Sequence, residues 1–132
     1  QALVWRDMDA FQHINNAVYF RYFEDARIEY FTKNGVMEHM QANQIGPILA
    51  STRCDFRTPL TFPDTIQVAA DVTDIKSNRF TMTYSVYSGR QKKLAAEGEG
   101  LVVYYDFKHR KSSTIPSSIV TAIEQLQSQY SG

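Results

Sequence analysis

The run Asp7-Met8-Asp9-Ala10-Phe11-Gln12-His13-Ile14-Asn15-Asn16-Ala17-Val18-Tyr19-Phe20-Arg21-Tyr22-Phe23-Glu24-Asp25-Ala26-Arg27 decides how this chain folds. Two carboxylates, one imidazole and two adjacent carboxamides precede a segment that is apolar around most of a helical circumference. Residues from about Asn15 to Lys33 read as one helix, closed by Asn34-Gly35 as a C-terminal stop. Asn15 suits the N-cap, because its side chain can accept from the exposed amides of the first turn. Tyr19, Phe23, Ala26 and Tyr30 form a stripe at helical spacing, and Val18, Phe20, Tyr22, Ile28 and Phe31 widen it. Such a helix is expected to be enclosed, not merely docked at one face. Glu29 and Lys33 stand in the favourable order for an i,i+4 ion pair. A titratable cluster aimed at the N-terminus of a buried helix suits chemistry on a carbonyl.

Working outward, Ala2-Leu3-Val4-Trp5 reads as a strand entered part-way, with a few residues expected before Gln1. Almost everything from Ile48 to Phe107 reads as strand. One strand covers about Ile48 to Arg57 and ends at Thr58-Pro59. Ile66, Val68, Ala70 and Val72 alternate with Thr65, Gln67, Ala69 and Asp71, and Phe80, Met82, Tyr84 and Val86 alternate with Thr81, Thr83, Ser85 and Tyr87. Lys76-Ser77-Asn78 is the hairpin between these two. A further run, Leu94 to Phe107, carries Ala96, Gly98, Gly100 and Val102 on one face. Glycine weakens a strand unless another backbone must come close, so this face is expected against the buried helix. Ile119, Val120, Ile123 and Leu126 make a closing amphipathic helix that begins near Pro116. The pattern is α+β: one domain over residues 1–132, an antiparallel sheet curled round a central hydrophobic helix. One sheet face stays uncovered by this chain's long helix, so association of subunits is expected.

Composition narrows the class. At 132 residues, 43 % hydrophobic and 21 % charged, the chain is an ordinary globular one with enough length for a core. Fourteen basic and fourteen acidic residues cancel, which gives no reason to expect nucleic acid or a membrane surface as partner. No apolar run approaches the roughly 20 residues that a membrane helix needs, and no signal peptide is legible. The single cysteine, Cys54, excludes an internal disulfide and suits a reducing compartment, so the cytoplasm is the expected location. His13, His39 and His109 lack metal-ligand spacing, and no metal is expected. There is no Gly-x-Ser-x-Gly elbow for a serine hydrolase.

The run Arg6-Asp7-Met8-Asp9-Ala10-Phe11-Gln12-His13-Ile14-Asn15-Asn16, with Tyr19 and Phe23-Glu24-Asp25-Ala26-Arg27, resembles the signature of hotdog-fold acyl-CoA thioesterases, nearest the 4-hydroxybenzoyl-CoA-thioesterase-like branch. The resemblance continues through Asp55-Phe56-Arg57-Thr58-Pro59-Leu60-Thr61-Phe62-Pro63-Asp64 and covers essentially the whole chain. It implies hydrolysis of an acyl thioester, on CoA or an acyl carrier protein, with no cofactor beyond the CoA of the substrate. The family's catalytic carboxylate falls on Asp9, as nucleophile or as base on water. The backbone N–H of Asn16 or a neighbour, aided by the helix dipole, would polarise the carbonyl. His13 matches a histidine that many members carry. Lys76 and Arg79 match the basic residues that meet the phosphates of CoA, for a neighbouring subunit's site as readily as for their own. The resemblance also implies a homodimer or homotetramer. Gln12 stands where many relatives have glycine, and Phe11 stands where plant-type relatives have asparagine, so that branch's full catalytic set does not carry over.

Other polar residues have plainer readings. Asp7 is read as structural, bonded to loop amides. His13 is as readily a satisfied structural group as a catalyst. Glu24, on a helix expected to be buried, needs a partner, and Arg27 at i+3 is one. Cys54 is read as a small core or interface residue, not a nucleophile. Tyr19 and Phe23 are core residues that could also line an acyl tunnel. Two other classes stay open: a hydratase or dehydratase on acyl thioesters, disfavoured by the missing Asn-Pro-x-His-x-Asp arrangement, and a non-catalytic acyl-thioester-binding protein, which the presence of Asp9 and His13 disfavours.

Overall fold

The computed structural model describes residues 1–8, 14 and 16–131. Helix α1 spans Asn16–Lys33 and buries Tyr19, Tyr22, Phe23, Tyr30 and Phe31, as the stripe requires. Glu29 and Lys33 pair at 3.2 Å. Phe20 and Ile28 remain exposed, so this chain docks α1 on one face and does not enclose it. The sheet of one chain is not wide enough to cover so broad an apolar helix. Glu24 is exposed too, which removes the burial cost that would have demanded a partner.

Gly35, at φ +81°, ends α1 as expected, but the chain re-enters a helix at once. The eight-residue α2, Val36–Asn43, is absent from the sequence reading because it follows a stop signal and is too short to show a period. The Asn34 side-chain oxygen accepts from the Val36 N–H at 3.2 Å across this corner.

Strands β1 (Ile45–Phe56), β2 (Ile66–Thr73), β3 (Arg79–Ser88) and β4 (Lys93–Asp106) follow, with a two-residue β5 at Lys111–Ser112. The sheet is antiparallel in the order β1-β4-β3-β2, and β5 pairs with β4. β1 begins three residues earlier than its pattern predicts. Pro47 lies within it, which an edge strand tolerates because the missing N–H leaves no gap in a central ladder. The β2–β3 hairpin is closed by the Lys76 N–H on the Arg79 carbonyl at 2.7 Å. The expected opening strand reduces to a bridge of Ala2 with Thr65 and a 3-10 turn at Trp5–Asp7.

Helix α3, Ser117–Ser131, follows Pro116 and buries Ile119 and Ile123. The side-chain oxygen of its Gln127 accepts from the Tyr30 hydroxyl at 2.7 Å and from the Val72 N–H of β2 at 3.1 Å. Between sheet and α1, Phe80, Met82, Tyr84 and Val86 of β3 are all buried. Phe23 stacks on Tyr84 with ring centroids 4.7 Å apart. A Cβ at Gly98 would fall 2.4 Å from the Phe23 ring, so the close approach inferred from the small face is real there. At Gly100 the nearest side-chain atom is Leu49 Cδ1 of β1, at 2.9 Å, and not α1.

The antiparallel register sorts the turns into two ends. Phe56, Ile66, Ser88 and Lys93 lie at one end with the start of α1, while Ile45, Thr73, Arg79 and Asp106 lie at the other.

Candidate active site

The start of α1 sits over the first of these ends. Met8 and Ile14, which flank residues 9–13, form an antiparallel bridge. The Ile14 N–H donates to the Leu60 carbonyl at 2.8 Å, and Ile14 and Leu60 are both buried. Tyr19, one turn into α1, packs edge-on against Phe56 at 5.0 Å and Tyr22 at 5.9 Å. Burial pushes the Tyr19 hydroxyl up to about 12, against an opposing backbone hydrogen bond at Leu60. Tyr22 is also pushed up to about 12, first by burial and then by Asp7. Its buried hydroxyl has no hydrogen-bond partner among the described residues.

Asp7 is buried and meets the Arg21 guanidinium at 2.5 Å. The expected bonds to loop amides fall on residues 9–13, outside the described residues, and Arg21 is a partner that the sequence reading did not include. A charge-assisted bond to a residue 14 positions away fixes the 3-10 turn to α1, and no local sequence pattern reports such a contact. Arg27 directs its guanidinium to the Tyr84 hydroxyl at 3.1 Å, not to Glu24. Cys54, on the inner side of β1, is half-buried, and burial followed by Asp55 pushes its thiol up to about 11. A thiol so held is protonated near neutral pH and a poor nucleophile, in line with its structural reading.

Of the sequence-predicted site residues, Asn16 opens α1 at this end. Asp9 and His13 lie outside the described residues, as do Phe11, Gln12 and Asn15, the expected N-cap. Lys76 and Arg79 are exposed at the opposite end of the sheet, so one chain does not bring them to α1's first turn. Lys76 pairs with Asp74 at 3.7 Å, and Arg79 donates to the Asn78 side chain at 3.2 Å. The basic turn on the α1-start side is instead Arg90-Gln91-Lys92-Lys93, between β3 and β4. It borders a 410 Å³ cleft with Pro59 and Thr61. The sequence shows both basic turns, but only the strand order reveals which one shares an end with α1's N-terminus. Tyr19 and Phe23 are packed in the core. A second groove of about 510 Å³ runs between α1 (Ala26, Tyr30) and β2 (Val68, Ala70). Among the described residues no cluster of His, Cys, Asp and Glu could hold a metal, and no helix is long and apolar enough to cross a membrane.

A family model for the thioesterase-like superfamily matches residues 3–123. The chain belongs to that superfamily. Its similarity to the long-chain acyl-CoA thioesterase FadM of Escherichia coli is 19 % identity over 119 residues, covering 90 % of each chain. The superfamily's hotdog architecture is shared with a 1,4-dihydroxy-2-naphthoyl-CoA thioesterase from Synechocystis, at TM-score 0.83 and 18 % identity over 96 % of this chain and 93 % of that one. It is shared too with a Staphylococcus aureus protein solved in complex with CoA, at TM-score 0.87 and 16 % identity over 97 % and 81 %. At these identities the structural matches speak to fold, and thioester hydrolysis is the activity that superfamily membership carries.

Proposed function

We propose that this protein hydrolyses acyl-CoA to a free acid and CoA, with Asp9 as the reacting carboxylate and the first turn of α1 as the carbonyl-polarising group. The observation that carries this is the bridge of Met8 to Ile14 at the start of α1, within a chain matched to the thioesterase-like superfamily over residues 3–123. Asp9 follows Met8 and His13 precedes Ile14 in the chain, and it is this pair of flanking residues that the bridge joins just ahead of α1. There the amides at the start of α1, Asn16's among them, and the positive end of the dipole favour a developing oxyanion.

Two routes use these groups. Asp9 attacks the thioester carbon, the C–S bond breaks, CoA leaves as a thiolate that takes a proton, and water then opens the acyl anhydride. Alternatively Asp9 takes a proton from water as that water attacks the thioester carbon, the C–S bond breaks and CoA leaves as a thiolate that takes the proton. His13 serves as the group that orients the carboxylate or protonates the leaving thiolate.

The reading includes a homodimer formed at β1. This strand ends the sheet order and exposes Ile48, Leu49 and Phe56, a long apolar edge of the kind that pairs with another chain. Two-fold antiparallel pairing of β1 with its copy sets the Ile45 end of one strand beside the Phe56 end of the other. On that pairing Lys76 of the partner subunit and the partner's Arg79 would come to the same end of the joined sheet as this chain's α1 start, and the reading assigns them the phosphates of CoA. The cytoplasm, where acyl-CoA is at hand, is the proposed location.

Release of free thiol from short, long and aromatic acyl-CoAs tests the reading. Asp9→Ala should lower turnover by about 10²-fold or more with the oligomer intact on gel filtration. Undiminished turnover in that variant, or hydration of an enoyl-CoA without thiol release, would overturn it.

A further inference from the structure

The connection between β1 and β2 is bonded along its length to the β3–β4 hairpin. The Asp64 carboxylate accepts from the Ser88 hydroxyl at 2.5 Å, from the Arg90 N–H at 2.9 Å and from the Thr65 N–H at 2.7 Å. Ser88 is fully buried, and its hydroxyl also accepts from the Gln91 N–H at 3.1 Å. The Gln91 side-chain amide donates to the Pro59 carbonyl at 2.9 Å, and the Arg90 guanidinium donates to the Pro63 carbonyl at 3.3 Å. The Gly89 N–H donates to the Thr65 carbonyl at 3.0 Å, and a Cβ at Gly89 would fall 2.7 Å from that oxygen. Both ends of residues 59–64 are thus clamped to the hairpin, and between them lies Leu60.

Leu60 is the residue through which this segment reaches α1. Its carbonyl takes the Ile14 N–H at 2.8 Å, and its side chain is fully buried. A displacement of the clamp moves Leu60, and Leu60 carries the entry and first turn of α1 with it. We propose that Asp64 and Gln91 are positioning residues: by clamping residues 59–64 to the β3–β4 hairpin they set where α1's first-turn amides stand relative to the reacting carboxylate. This rests on the proposed thioesterase reading of that site, but the clamp itself has a readout that needs no turnover. Misplacement by about 1 Å at a reacting centre can cost on the order of 10²-fold in rate, so even a surface glutamine can matter here.

Three variants separate positioning from general stability. Gln91→Ala removes one bond at an exposed turn. Asp64→Asn keeps the shape and removes the charge from three hydrogen bonds. Asp106→Asn is the control: Asp106 accepts from the Lys108 N–H, the His109 N–H and the His109 ring at the opposite end of the sheet. In Asp64→Asn, kcat should fall about tenfold and KM stay within about twofold, as for an interaction made chiefly in the transition state. Gln91→Ala should fall by about threefold, and Asp106→Asn should match the parent. In parallel, hydrogen exchange at the Ile14 amide should quicken by about tenfold in Asp64→Asn, with the Met82 amide of β3 unchanged. Failure of the parent to release thiol would sink the thioesterase reading, leaving the Ile14 exchange rate to decide the clamp. Unchanged exchange at Ile14, exchange that quickens at Met82 equally, or quickened Ile14 exchange with unaltered kcat would each overturn the positioning role.

Discussion

Strands β3 and β1 are both long, both antiparallel to β4, and fare differently. In β3 every second residue from Phe80 to Val86 is buried, and Met82 is 0 % exposed. In β1 the run Ile48 to Arg53 is exposed throughout, and Leu49 is 39 % exposed despite being as apolar. The difference is one of place, since β3 lies between two strands beneath Phe23 and Phe31, and β1 ends the sheet. Alternation in sequence tells which residues share a face. It does not tell whether the same chain covers that face.

Matched substitutions break the comparison open. Met82→Asp puts a carboxylate without a partner into the core, at a cost of roughly 3–5 kcal/mol or more, and is expected to abolish cooperative thermal unfolding. Leu49→Asp should leave the transition in place and shift sedimentation from the proposed dimer to monomer. A folded Met82→Asp protein, or an undisturbed Leu49→Asp dimer, would erase the contrast.

A subtler pair uses the glycines of β4. Gly98→Ala drives a methyl into the Phe23 ring, which cannot retreat because Tyr84 stacks behind it, and overpacking of this kind costs about 1–3 kcal/mol. Gly100→Ala is crowded by the exposed, movable end of Leu49 and makes ordinary contacts at 3.6 Å with the Ser51 carbonyl and the Tyr84 hydroxyl, and it should fall within about 0.5 kcal/mol of the parent by urea titration.

The smallest effect concerns Cys54 on β1, whose thiol burial raises to about 11. The unfolded thiol ionises near 8.5. Stability linked to this group is therefore complete below about pH 8.5 and is lost as pH climbs towards 11. Alkylation by iodoacetamide at pH 8 should be slow in the parent and faster in Leu49→Asp, where the proposed second chain would no longer shield β1. Equal rates would place Cys54 outside the proposed interface.

Much of this was legible in residue spacing. The α1 stripe, the β2 and β3 alternation, the Lys76–Asn78 hairpin and the approach at Gly98 all come from local periodicity or from glycine's lack of a side chain. What escaped was non-local or masked by a stronger local signal. Asp7 finds Arg21 through folding, α2 hides behind the stop at Gly35, and the exposure of Phe20 and Ile28 depends on how far one chain's sheet extends. For the site, α1's N-terminus was readable, but the placing of Lys76 and Arg79 away from it needed the strand order. The Asp64 clamp was hidden for the same reason, since its partners lie 24 and 26 residues ahead.

The contacts made by Gln1 and Gln127 bear on how copies of this protein can accumulate. The Gln1 backbone exchanges hydrogen bonds with Ile66, and the Gln127 side chain occupies the Val72 N–H, so β2 is held near both ends of its outer edge. A sheet that could grow from either margin would polymerise. With β2 so capped, the margin left open among the described strands is β1, and the proposed homodimer would close it with its own image, stopping growth at two. In that reading Gln127 guards the far margin of the sheet from the last helix.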